Sequence, residues 1–411
     1  MKKSLILGGL FILGLVSLIY SQKIQEKSMV INIEVPVRVF DGQRFVDNLT
    51  LKDFEVYENG LPQRVEAVYL VKKKSIERSE ERKRFFPQTK RNFYLFFEIS
   101  EYNARLGEAV SYFVRNIVYP DDTLTIVTPI KTYRLRGKAL ELQSRKKVVQ
   151  QLKGILRRDA LLGSSAYRHV VKELERLARS MVVNLEENES ENFQRLDQAM
   201  SAEYDQMSIG EKLQRYVDLL AQLENYRKVN QAMLLRFANF LKRQAGQKYV
   251  FIFYQREFIP KIEPRILYQY MNLYQDRPNI VQTLAGVFNF YRREIAFDVE
   301  AVKKAYADAS VGIHFLFITR PKEKLYGVQM EEHSEDIFGA FKEMAQASGG
   351  YAEASFDAYQ AFRHALEASQ NYYLIYYTPR NYVRDGKFRK IEVRIKGQPY
   401  RVVHRVGYFA D

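Results

Sequence analysis

Hydrophobic and polar positions alternate with a period of two across residues 30–71, the pattern of strands with one face buried. Val35, Val37 and Val39 share a face, as do Phe54 and Val56, and Asp41-Gly42 and Asn59-Gly60 suit the positive φ of tight hairpin turns. Pro36 has no amide hydrogen to give a ladder, which predicts an edge position for the first strand. Beyond residue 92 the pattern changes. Phe93–Phe97, Thr123–Thr128, Tyr249–Tyr254 and Val311–Thr319 are short apolar runs of the kind buried on both faces of a parallel sheet, and Thr132–Arg136 reads as a short edge strand. Helical spacing separates them. Leu106, Val110, Phe113, Val114 and Ile117 predict a helix over 103–118, and Ser334–Ala347 predicts another. A long helical tract covers roughly 139–245. In its last part Ser208 and Glu211 form a capping box, Ile209, Leu213, Tyr216, Leu220 and Leu223 follow at helical steps, and Gly246 stops the run. That part predicts one helix of ~55 Å, at ~1.5 Å per residue. The last forty residues return to strands, at Tyr372–Tyr377, Phe388–Ile395 and Tyr400–Val406.

Strand and helix in alternation predict an α/β fold with a mostly parallel sheet and helices on both faces. The domain plan is residues 1–21 as a leader, 30–71 as an N-terminal β segment and 72–91 as a charged linker. An α/β domain over 92–370, with a helical insertion at about 139–245, follows. Residues 371–411 then form a C-terminal β segment that pairs with 30–71 in a small β unit, because so few strands are marginal alone.

Composition narrows the chemistry. The 411-residue chain has no Cys, which excludes disulfides, thiolate metal sites and thiol catalysis, and its five His are scattered. Met1-Lys2-Lys3 followed by an apolar run from Leu5 to Ile19 resembles an export signal, with a cleavage point before Gln22. The run is shorter than the ~20 residues of a stable membrane-spanning helix. An exported protein is expected: periplasmic, anchored to the cell envelope, or extracellular. The net charge of +15 is concentrated in residues 72–91, with nine basic and three acidic residues, and 380–405, with nine basic and two acidic. These stretches suit an anionic envelope surface, and export argues against nucleic acid as the partner.

No G-x-S-x-G elbow, H-E-x-x-H, P-loop or G-x-G-x-x-G after a strand occurs. The run Glu331-Glu332-His333-Ser334-Glu335-Asp336 reads as a helix N-terminus with Ser334 as cap. The informative position is Glu98-Ile99-Ser100-Glu101-Tyr102, at the carboxyl end of the first buried strand, where open α/β sheets gather ligands. A carboxylate and hydroxyls there suit a hard divalent cation, and Gly163-Ser164-Ser165 is a second source of hydroxyls.

Asp53-Phe54-Glu55-Val56-Tyr57-Glu58-Asn59-Gly60, then Pro62-Gln63, is similar to the D-F-x-V-x-E-[DN]-G signature of the acidobacterial-type VWFA-related family of exported bacterial proteins, which carry a von Willebrand factor type A domain. Tyr372 to Pro379, Gly386 to Ile391 and Gly407-Tyr408-Phe409 resemble that family's C-terminal pattern, and Ala345 to Gly350 resembles its A-x-x-T-G-G with Ser348 for Thr. The resemblance covers roughly 30–411, outside the helical tract. It implies a Rossmann-like sheet with a metal-ion-dependent adhesion site of the form D-x-S-x-S, a loop Thr and a later Asp. Carried over, these fall on Glu98, Ser100, Tyr102, Ser165 and Gln255. Glu98, Ser100 and Ser165 would be the metal ligands of a degenerate site, with Mg²⁺ or Ca²⁺ disfavoured. Glu98, Ser100, Glu101, Tyr102, Ser165 and Gln255 would form the binding face. The expected function is a non-enzymatic binding module with no cofactor and a protein partner. Its rivals are a hydrolase using Glu98 or Glu101 as general base, and a scaffold subunit assembling through its helical arm.

Overall fold

The strand Asn371–Tyr377 is buried along nearly its whole length and lies between two antiparallel neighbours, Ile33–Asp41 and Val65–Lys72. Tyr373, Tyr376 and Tyr377 tolerate burial because their hydroxyls find partners. Tyr373 donates to the Val46 carbonyl at 3.0 Å and Tyr377 to the Glu58 carboxylate at 2.8 Å. Arg401–His404 extends this sheet beyond Ile33–Asp41, and Ser75–Glu81 extends it beyond Val65–Lys72. A second antiparallel sheet joins Phe54–Glu58 and Leu61–Gln63 to Phe388–Ile395 and Gly407–Phe409. Its hairpin turns on Asn59 and Gly60, with φ of 49° and 81°.

This computed structural model describes residues 31–136, 142–183, 204, 206–290, 297–322, 328–332 and 334–411. Residues 1–21, with the expected leader, lie outside them. Residues Ile33–Asp411 form one compact unit, separate from the chain up to Asn32. No helix among the described residues is long and apolar enough to cross a membrane.

The expected architecture, a mostly parallel Rossmann-like sheet flanked by helices with a small β unit beside it, is corrected. The described chain builds four sheets, and three of them contain only antiparallel pairs. The remaining sheet is mixed. Its order is Tyr351–Ser355, Val311–Ile318, Gln247–Gln255, Arg91–Glu98, Thr123–Val127 and Thr132–Arg136, parallel except for the last pair. One face carries Phe93, Leu95, Phe97, Phe251 and Phe253 against helices Ala104–Tyr112, Arg145–Gly163 and Ala358–Ala368. The other carries Val250, Ile313, Phe315 and Phe317 against Gln231–Lys242, Val299–Asp308 and Glu335–Ala347. That second face stays open at the outer strands, where Thr125 and Val127 are half-buried and Thr132 and Arg134 exposed.

Three local expectations also differ. The stretch 72–91, expected as a linker, contains the strand Ser75–Glu81, held by antiparallel pairing to Val65–Lys72. Ile33–Asp41 is not an edge strand; its second ladder covers only Val37–Phe40 and so begins one residue past Pro36. The helix expected over 208–245 is two helices, Ile209–Arg227 and Gln231–Lys242, with Lys228 extended and the Asn230 side chain accepting from the Met233 amide at 3.0 Å. The capping box at Ser208 and Glu211 does form.

The amino ends of two mixed-sheet strands are fastened by a buried ion pair. Arg91 and Asp122, each 1% exposed, meet through two bonds of 3.1 Å and 2.6 Å. Arg91 also donates to the Ile117 carbonyl, and Asp122 accepts from the Tyr119 amide. Removing one partner strands the other charge without water, at a cost of about 3–5 kcal/mol. Asp122→Ala should therefore lower the free energy of unfolding in urea by that amount. Glu108→Ala, which removes only the exposed pair with Arg105, should change it by under ~1 kcal/mol.

Candidate functional site

The parallel register sets Tyr254 beside Glu98, so Gln255 reaches the turn that follows the Arg91–Glu98 strand. Its side-chain oxygen accepts three hydrogens, from the Ser100 amide, the Ser100 hydroxyl and the Glu101 amide, each at 3.0 Å. Ser100 and Gln255, 155 positions apart in the chain, are thus joined directly. Ser164 completes the group: its hydroxyl donates to the Ser100 carbonyl at 2.8 Å. Ser165 does not belong to it. It is exposed and donates to the Leu162 carbonyl of its own helix end at 2.7 Å.

Glu101 points outward and pairs with Arg320 at 3.4 Å. Tyr102 packs against the core, its hydroxyl lying where a side chain at position 107 would begin, and the Arg157 guanidinium sits 5.2 Å from its ring. Burial raises the Tyr102 phenol above its ordinary value. Neither residue reaches Gln255 by side chain.

Glu98 faces the other way, into a groove of about 1090 Å³ that runs along the open face of the mixed sheet. The residue is exposed to the groove. Burial, followed by repulsion from the Glu257 carboxylate, raises the Glu98 carboxyl above its ordinary value. The groove floor is Asn92, Tyr94 and Phe96 beside Thr123, Thr125 and Val127. The wall is helix Gln231–Lys242, which presents Met233, Phe237 and Phe240. Phe237 locks wall to floor through edge-on contacts with Tyr94 at 5.7 Å and Phe96 at 5.1 Å. Gly163 closes one corner, where a side chain would meet Pro129 at 2.5 Å. The outer hairpin is tied down by buried Asp159, which accepts from Thr128 at 2.8 Å, Tyr133 at 2.7 Å and Arg158 at 2.9 Å.

The groove was missed in the sequence reading, although Thr123-Leu124-Thr125-Ile126 carries its signal. Polar residues at every second position mean a strand buried on one face only. Glu257, two residues past Gln255, had no sequence signal.

The Gln255 oxygen is neutral and accepts three hydrogens, the Ser100 and Ser164 hydroxyls donate to carbonyls, and Glu101 turns away. Mg²⁺ wants near-octahedral oxygen ligation and one or two carboxylates. Glu331 and Glu332 are engaged by Lys261 at 2.7 Å and Arg256 at 2.6 Å. No cluster of three His, Asp or Glu suited to a metal occurs among the described residues. Ser334 begins its helix, but its hydroxyl accepts from the Glu257 amide at 3.1 Å rather than capping.

No family model, no curated protein and no solved structure matches the chain.

The raised Glu98 carboxyl has a stability consequence. Its proton is held more tightly in the folded chain than in the unfolded one, so the native state loses stability as pH rises from about 4.5 through the folded value. Glu98→Gln keeps the shape and removes the titration. In urea unfolding from pH 4 to 8, the variant should gain on the parent as pH rises, with the gain level above the folded value. A constant difference across that range would show that Glu98 titrates as it does in the unfolded chain.

Proposed function

We propose that the protein is a binding module that takes a segment of a partner protein into the groove beside helix Gln231–Lys242. An apolar side chain of the partner would rest on Phe237, Phe240 and Met233, and a cationic one would approach Glu98 and Glu257. The observation that supports this is the groove itself. At about 1090 Å³ it is at the upper limit of small-molecule pockets, ~300–1,000 Å³, and an extended segment fits it better. Met233 and Phe240 on its wall are 59% and 39% exposed, apolar surface of the kind that marks interaction sites. Two like-charged carboxylates at one end favour a cation between them.

The similarity of the terminal signatures to VWFA-related proteins supports a binding role, and the Rossmann-like sheet which it implied is no part of the proposal. Export to the periplasm, the envelope or the medium belongs to the same reading and rests on residues 1–21. The basic stretches 72–91 and 380–405 would favour an anionic envelope surface, although Arg91 and Arg405 within them are buried.

A photo-crosslinking residue at Thr125 or Phe237, with mass spectrometry of the adducts, tests the groove. The crosslinked segment, made as a peptide, should bind the purified protein, and Phe237→Asp and Glu98→Lys should each weaken it at least about tenfold, near 1.4 kcal/mol. Glu300→Lys, at an exposed position outside the groove lining, should leave it unchanged. Equal affinity for all three variants would place binding outside the groove.

The reading also holds the Ser100–Gln255 cluster to be hydrogen-bonded rather than metallated. Calorimetric titration with Mg²⁺, Mn²⁺ and Ca²⁺ should show no sub-millimolar binding. Such binding, lost in Glu98→Ala, would replace the closed cluster with a working cation site.

A further inference from the structure

At the opposite, amino end of the mixed sheet, where it meets the sheet of Ile33–Asp41 and Asn371–Tyr377, lies a cavity of about 50 Å³. Lys248 opens one of the central parallel strands, Arg38 comes from the antiparallel sheet, and Arg405 follows the strand Arg401–His404. All three line the cavity and are buried, at 8%, 8% and 7% exposure. His314 lines it too, at 1% exposure, its ring stacked on Phe251 at 4.7 Å.

No carboxylate lines this space. The two nearest acids are already engaged. Glu34 accepts from Gln247 at 3.0 Å and from the Tyr376 hydroxyl, and Asp308 accepts from Lys242 at 2.8 Å and from the Phe409 amide at 2.8 Å. The guanidinium of Arg405 instead donates to the backbone carbonyls of Glu34 at 2.8 Å, Ala307 at 3.3 Å and Asp308 at 3.4 Å. Lys248 reaches only the Gln244 carbonyl, at 3.4 Å. Two buried nitrogens, Arg405 Nε and His314 Nδ1, have no hydrogen-bond partner. Arg38 donates to the Gly349 carbonyl. Unsatisfied buried polar atoms are few, so two of them beside three buried cations call for a compensating group.

We propose that this cavity binds a small inorganic anion, held by Lys248, Arg38 and Arg405 in the seam between the antiparallel and mixed sheets. The size agrees. A single water needs ~10–15 Å³ by the same measure of volume, so the space admits an ion larger than water but no organic molecule of any length. The anion would add its charge to the attraction that Glu34 and Asp308 exert on Lys248 and Arg405, and would give the unpartnered nitrogens a partner. Burial and then the Arg405 charge lower the Lys248 ammonium to about 8, and burial lowers the Arg38 guanidinium to about 10. Burial, with Arg38 second, also keeps His314 neutral at pH 7.

The test is thermal and chemical unfolding of the whole chain at fixed ionic strength, with sodium gluconate replaced stepwise by sodium chloride or sodium phosphate. Gluconate is too large to enter. An anion that binds only the folded state multiplies the folding equilibrium by 1 + [L]/Kd, about a hundredfold at one hundred times Kd. The midpoint should rise and saturate with chloride, phosphate or both. Lys248→Met, which removes one cation without adding bulk, should abolish the rise while leaving a folded protein in gluconate. Should that variant not fold, bromide soaked into crystals of the parent decides by its anomalous signal: a peak between Arg38, Lys248 and Arg405 supports the site, and an empty cavity overturns it. A midpoint that follows ionic strength alone, or an unchanged anion response in Lys248→Met, also overturns it.

Discussion

The buried pair Arg91–Asp122 is the interaction on which the open part of the mixed sheet depends. It clamps the first residues of two parallel strands, so that Asn92 stands opposite Thr123 and the register runs on to Phe96 and Val127. Side chains on one face then fall in rows, Tyr94 with Thr125 and Phe96 with Val127, and those rows are the groove floor. A floor that half faces solvent gains less from burial than a covered one and needs its register fixed by other means. Arg91 also lies 5.0 Å from the Phe93 ring and 5.1 Å from Tyr119, which packs the charge as well as pairing it. At the far end the Asp159 network performs the same task for the outer hairpin. Burial opposes its ionised form, yet hydrogen bonds from Tyr133, Thr128 and Arg158 hold its carboxyl below the ordinary value.

The sequence made some of this legible. Unbroken apolar runs marked the inner strands, Asn59-Gly60 marked a turn that does adopt positive φ, and Ser208 with Glu211 marked a helix start that does form. The resemblance brought Ser100 and Gln255 to one place, and three hydrogen bonds to a single oxygen join Gln255 to Ser100 and Glu101. What failed shares a physical cause. A strand's pairing partner is not written in its own residues, so the hairpin turns marked local antiparallel pairs but not how far the antiparallel sheets extend. Ser75–Glu81 has no buried residue and therefore no apolar period to find. Ser164 and Ser165 differ only in helical phase at a helix junction, and the phase decides which hydroxyl meets Ser100.

Charge counted along the chain also misleads about surfaces. Within the two basic stretches, Arg91 and Arg405 are 1% and 7% exposed. One is neutralised by Asp122; the other donates to carbonyls at the foot of the sheet. Net charge by segment thus overstates what an anionic surface would meet, and the overstatement lies in residues that organise the interior.

The strand Gln247–Gln255 carries both outcomes of burying polar groups. At its carboxyl end, Gln255 brings a neutral acceptor to three donors. At its amino end, some 20 Å away at ~3.3 Å per residue, Lys248 joins two arginines and a neutral histidine around a space without a carboxylate. Burial costs a charge much more than an amide, and only an opposite charge offsets it. The same principle therefore acts at both ends: donors meet a neutral side-chain oxygen at one, and buried cations meet backbone carbonyls at the other.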